Sequence, residues 1–117
     1  MEYWQGQDIK TNATHSFMDD IMQALNTVQT INSNAEFWIG ETGWPTAGGN
    51  FGAGVPSVAN AQTFFTEGVC AIRQWGVNAF IFEAFDETWK PPTSGQDVET
   101  HWGIWDASRA AKFNFTC

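Results

Sequence analysis

Two short apolar runs, each ending in carboxylates, constrain this chain more than any other feature. The first is Phe37-Trp38-Ile39, which runs into Gly40-Glu41-Thr42 and the Gly43-Trp44-Pro45 corner. The second is Ala79-Phe80-Ile81-Phe82, which ends in Glu83, Asp86 and Glu87. Apolar runs of this length, bounded by turn residues, read as buried strands. Roughly forty residues separate the two tips, and a helical pattern fills part of the interval. Ser57 offers an N-cap, and Ala61, Phe65, Gly68, Ile72 and Trp75 trace one face. Gly76 then stands where a left-handed residue usually ends a helix. Strand, helix, strand predicts an α/β fold with parallel strands joined by a right-handed crossover. Both strands carry their acids at the C-terminal end, where (β/α)8 barrels build sites from the following loops.

A helix is also predicted ahead of the first strand, from about Phe17 to Thr30. Ser16 is its expected N-cap, with Asp19 and Asp20 in the first turn, where acids suit the helix dipole. Phe17, Ile21, Leu25 and Val28 recur at helical spacing, and Met18 and Met22 widen the stripe. Residues Glu2 to Thr14 read as polar and turn-like, with Tyr3 and Trp4 as the large apolar groups. Thr46 to Pro56 holds four glycines and reads as a loop. Beyond Lys90, Pro91 to Gly95 reads as an irregular loop. His101 to Trp105 reads as a short extended piece, and Asp106 to Cys117 as a closing segment.

Composition removes several function classes. Apolar residues make up 43% of the 117, which argues against disorder. Five basic residues face thirteen acidic ones, for a net charge of −8. That balance disfavours nucleic acid, whose binding rests on many Lys and Arg contacts, and an anionic membrane surface. No run approaches the length of a membrane span. His15 and His101 lie far apart, and Cys70 and Cys117 lack partners at zinc spacing, so no metal is implied. The two cysteines are instead candidates for one bridge. No Gly-x-Ser-x-Gly elbow supports a serine hydrolase, and no cofactor is called for. Asn12-Ala13-Thr14 and Asn114-Phe115-Thr116 are glycosylation acceptors if the protein is secreted. With the acidic, Trp-rich composition they point to an extracellular protein. The chain opens without a basic n-region or an apolar h-region, so a missing beginning is expected.

From spacing alone Glu41 fits two roles equally, a pocket carboxylate or a cap on the next turn. The wider motifs separate them. Gly40-Glu41-Thr42-Gly43-Trp44-Pro45 resembles the nucleophile motif of glycoside hydrolase family 17, the β-1,3-glucanases and glucanosyltransferases. Phe82-Glu83-Ala84-Phe85-Asp86-Glu87-Thr88-Trp89-Lys90 resembles that family's other late motif. The likeness covers nearly the whole chain and is strongest to the fungal cell-wall branch. It implies that residues 1–117 are the C-terminal part of a (β/α)8 barrel, with about its last two strands. A closed barrel needs about 200 residues or more, so the chain is expected to be a fragment.

The resemblance also implies roles for individual residues. Glu41 matches the nucleophile of a retaining mechanism, and Lys90 matches a lysine close to the active site. Glu87 matches an acid of the catalytic hydrogen-bond network, which Glu83 and Asp86 either join or leave for solvent. Tyr3 and Trp4 match aromatic positions that line the glucose sites, and Trp44 and Trp89, which follow the two acidic motifs, are expected near the glucan cleft. Phe64, Phe65, Trp75, Phe80 and Phe82 fall on the periodic faces and are expected in the core. The family's acid/base glutamate comes from an earlier Asn-Glu motif, and no Asn-Glu pair occurs in this chain. The implied function is a wall-glucan hydrolase or transferase, with β-1,3-glucan as its partner. The rival reading is a non-catalytic carbohydrate-binding or wall-structural fragment.

Overall fold

The structure, a computed structural model, describes residues 13–91 and 97–117. The readings of Tyr3, Trp4, Asn12 and most of the loop after Lys90 lie outside those residues. Helix α1 (Thr14–Ile31) is followed by strand β1 (Trp38–Thr42). A helical rod comes next, made of α2 (Val58–Thr63), a π-helical stretch (Phe64–Val69) and α3 (Cys70–Gln74). Strand β2 (Asn78–Ile81) then pairs parallel with β1. The α/β order and the parallel pairing agree with the sequence reading.

Helix α1 begins earlier than its pattern suggested. Ser16 lies inside the helix and is not its N-cap, and the helix begins on Thr14. The reason is tertiary: Ala13 and Thr14 are both buried, and the Thr14 methyl packs beside Gly68 of the rod. Burial of those two residues extends the helix back past the serine. The apolar stripe otherwise holds, with Phe17, Ile21 and Leu25 packed against Ile39, Ile72 and Val77. Met22 falls off the stripe and is exposed.

The rod starts and stops as the sequence implied. Ser57 Oγ accepts from the Asn60 backbone N–H at 3.0 Å. At the far end, Val77 N–H reaches Ile72 O at 3.1 Å and Gly76 N–H reaches Arg73 O at 3.0 Å. This is a Schellman closure, with Gly76 at φ +78° and Val77 packed in one cluster with Ile72. In between, the wider π turn brings Phe64, Phe65, Gly68 and Val69 all inward. A Cβ at Gly68 would come within 3.4 Å of the Phe17 ring, so α1 packs close against the rod there.

The core is largely aromatic. Phe64 meets Phe17 at 5.1 Å and Trp44 at 5.8 Å, centroid to centroid. Phe65 meets Phe113 and Phe115 of the closing segment, each at 6.2 Å. Phe80 corrects the expected core list. It is 61% exposed and stacks on Trp38, which is also exposed, on the sheet face turned from the helices. Alternation along two paired strands gives each sheet two faces, and only one is covered here. Phe82 and Trp75 are half-buried.

Cys70 and Cys117 form the expected bridge, which ties the chain end to the rod. It closes a loop of 47 residues, worth about 4 kcal/mol in the chain-entropy account. We therefore expect Cys70→Ser to lower unfolding stability by about that amount, a shift readable in urea melts. Equal midpoints for the two forms would show that the closing segment holds without the bridge.

Candidate functional site

The site is organised by a slip in register between the two strands. Ile39 pairs with Ala79 and Thr42 with Ile81, so three steps on β1 face two on β2. One extra residue is accommodated around Gly40-Glu41. Strict alternation would put Glu41 on the same side as buried Ile39, but Glu41 is exposed. The bulge re-aims the carboxylate. Among the described residues, no ion pair or hydrogen bond holds it.

The two strand tips are joined just beyond this bulge. Phe82 N–H donates to Thr42 O at 2.8 Å, so Glu41 and Glu83 flank one interstrand hydrogen bond. Gly43 is required there, because a Cβ would collide with the Phe82 carbonyl oxygen. The piece from His101 to Trp105, read from the sequence only as extended, lies along the second motif. Glu83 N–H reaches Trp102 O, Ile104 N–H reaches Glu83 O and Trp105 N–H reaches Ala84 O, all at 2.9–3.1 Å. Gly103 sits against the Phe85–Asp86 backbone too closely for any side chain.

The acids of the second motif separate into two groups. Lys90 Nζ lies 3.2 Å from Glu83 and 2.5 Å from Glu87, and 4.8 Å above the Phe82 ring. Trp102 meets that ring edge-on at 5.8 Å. Lys90 is thus an ion-paired, partly buried cation; among the described residues it pairs with Glu83 and Glu87 and not with Glu41. Asp86 belongs elsewhere. Its carboxylate accepts from Gly103 N–H at 2.9 Å and from Lys112 Nζ at 2.5 Å, with both side chains nearly buried. Neither of the roles open to Asp86 is its own: it anchors the closing segment. Lys112 was not singled out by the sequence, since no local pattern ties it to a residue 26 positions earlier.

The aromatic candidates divide by exposure. Trp89 is 75% exposed next to Lys90. Trp44 is buried against Phe64, and its indole N–H donates to Val55 O at 3.2 Å. Trp44 also lines a cavity of about 210 Å³ with Pro45, Phe51, Glu99 and Trp102. Glu41, Glu83 and Glu87 do not line that cavity. Among the described residues, no group of three His, Cys, Asp or Glu side chains is placed to hold a metal ion.

Protonation follows from these contacts. Burial pushes the Glu83 carboxyl above its usual range, against the pull of Lys90, and the Glu87 charge pushes it further. The hydrogen bond from Lys90 holds Glu87 below that range, and one with Glu83 adds to it. Glu87 in turn holds the Lys90 ammonium above its ordinary value. The Lys90 contribution to stability is complete below that ordinary value and is lost as pH rises through the raised one. The Glu87 contribution is present above the ordinary carboxylate pKa and is lost as pH falls through its lowered one. Glu83 behaves oppositely, favouring the fold while protonated and less so as pH rises through its raised midpoint. NMR titration of the side-chain carboxyls should place the Glu83 midpoint above that of Glu87. In Lys90→Met both should move up, since both lose the cation. A Glu83 midpoint below that of Glu87 would contradict the burial argument.

A profile of the family described as Glycosyl hydrolases family 17 matches residues 1–117. A glucan 1,3-beta-glucosidase of Saccharomyces cerevisiae is 54% identical, over 98% of this chain and 37% of that protein. One from Candida albicans is 50% identical, over 98% and 38%. A solved structure, an active-site mutant of Rhizomucor miehei beta-1,3-glucanosyltransferase in complex with laminaritriose, superimposes with a TM-score of 0.73. It is 28% identical, over 98% of this chain and 40% of that one. The chain thus spans well under half the length of the relatives it matches.

Proposed function

This chain belongs to the glycosyl hydrolases family 17, and on that premise we propose that it is the nucleophile-bearing part of a β-1,3-glucan-cleaving enzyme. The observation that carries the reading is Glu41, an exposed carboxylate on a bulge at the C-terminal end of a parallel strand. We read residues 1–117 as the C-terminal part of a (β/α)8 catalytic domain. In that architecture the uncovered sheet face, with Trp38 and Phe80, turns into the barrel, and the strand tips face the substrate.

A retaining mechanism uses two carboxyl groups about 5–5.5 Å apart. Glu41 would attack the anomeric carbon and form a glycosyl ester, while an acid protonates the departing oxygen. That acid would come from a part of the protein outside these residues. Glu83 and Glu87 share Lys90 and are engaged with it, which suits them to tuning the field around the nucleophile. The ester would then be released to water or to a sugar hydroxyl. Hydrolysis and glucanosyl transfer would share the first half of that cycle and differ in the second. Exposed Trp89 offers a flat face for a glucose ring. The wall glucan as substrate and an extracellular location belong to the same proposal.

Two experiments test it. The complete protein treated with a 2-fluoro-glucosyl inactivator should gain one sugar on the peptide that contains Glu41, seen by mass spectrometry. Glu41→Gln should block that label and lower turnover on laminarin on the order of 10⁴-fold, while laminarin binding remains. Label on a different residue would reassign the nucleophile. Residues 1–117 expressed alone should release no reducing sugar from laminarin, because the second carboxyl is absent. Hydrolysis by that piece would mean that Glu83 or Glu87 serves as the acid.

A further inference from the structure

The closing segment places a glycosylation sequon directly beside the disulfide. Asn114 and Thr116 are exposed, whereas Phe115 between them points into the aromatic cluster. Its ring meets Trp105 edge-on at 4.8 Å, Phe65 at 6.2 Å and Phe113 at 6.4 Å. The Asn114 side-chain oxygen accepts from the Thr116 backbone N–H at 3.0 Å, closing a turn over the tripeptide. The next residue, Cys117, is bonded to Cys70 on the rod, and the preceding Phe113 packs on Phe65. The tripeptide is therefore pinned on both sides and through its middle.

We infer that Asn114 carries an N-linked glycan, and that the glycan is added only before the Cys70–Cys117 bridge closes. Transfer joins Asn114 Nδ2 to the anomeric carbon of an oligosaccharide carried on a polyprenol pyrophosphate. The bond from that carbon to the pyrophosphate oxygen breaks, the lipid pyrophosphate leaves, and the amide gives up a proton. No electrons are exchanged. A transferase must engage the asparagine amide and the threonine hydroxyl together, because both define the sequon. To enclose them it has to lift Phe115 from between Trp105 and Phe65, and the bridge holds that segment down. The finished glycan itself is no obstacle to the fold, since Asn114 faces solvent. Glycan first and bridge second is the order that satisfies both.

The test needs no knowledge of the enzyme's activity, so its outcome is independent of the function proposed above. Unglycosylated complete protein, with its bridge formed, is offered to a purified eukaryotic oligosaccharyltransferase with lipid-linked oligosaccharide. Glycopeptide mass spectrometry then reads occupancy at Asn114. Oxidised protein should remain unmodified, and protein reduced with dithiothreitol, or carrying Cys70→Ser, should be modified at least tenfold more. Phe115→Ser keeps the sequon and the bridge but removes the ring from the cluster. It should raise occupancy without reduction, which separates local clamping from general unfolding. Equal occupancy of oxidised and reduced protein would overturn the order of events. No occupancy in any form would overturn the site.

Discussion

The close approach of two backbones at the strand tips is the constraint on which the rest depends. Thr42 and Phe82 share a hydrogen bond at 2.8 Å, and the next residue, Gly43, leaves no room for a side chain. The approach fixes the exit of Glu41 on one strand against the start of the Glu83 motif on the other. Gly103 repeats the device one layer further on, letting residues 101–105 lie against 83–86. Backbone hydrogen bonds thereby continue past the end of β2, where the sheet itself stops. Buried polar backbone must be paired, and these bonds provide for the irregular stretch that carries the acids.

Charge is sorted by the same geometry. Two lysines and three acids of the second motif could pair in several ways, and the fold selects one. Lys112 takes Asp86 in a nearly buried pair, supported by Gly103 N–H and by the His101 carbonyl. Such a pair resists the loss of either member, because the survivor would be a buried charge without a partner. Lys90 takes Glu83 and Glu87 in a more open setting, above an aromatic face. There the carboxyls are drawn apart in pKa by burial on one side and hydrogen bonding on the other. One cluster ties the closing segment down, and the other gathers Glu83, Glu87 and Lys90 on the motif that follows β2.

The helical rod links these features to the rest of the chain. Its π turn directs two consecutive phenylalanines inward, one toward Trp44 and α1, the other toward the closing segment. The same rod receives the disulfide from Cys117. Trp44 of the first motif, the first helix and the closing segment therefore converge on one element.

Much of this was legible in the sequence. Period-3.6 apolar spacing announced α1 and the rod, Ser57 and Gly76 marked the rod's ends, and two apolar runs with acidic tips gave parallel strands. Those signals are local, so they survive without knowledge of the fold. The bulge that exposes Glu41 is not local, since a register slip exists only between two strands. The allocation of Asp86 to Lys112 and of Lys90 to Glu83 and Glu87 is likewise a matter of packing, because charge carries no address in sequence. Burial of Ala13 and Thr14 overrode Ser16 as a cap, and Phe80 fell on the sheet face that the helices of this chain do not cover. The sequence by itself determined which elements form and which residue types stand at their ends. Only tertiary structure decided that Glu41, among the described residues, is left without an ion pair, because that depends on what folds against it.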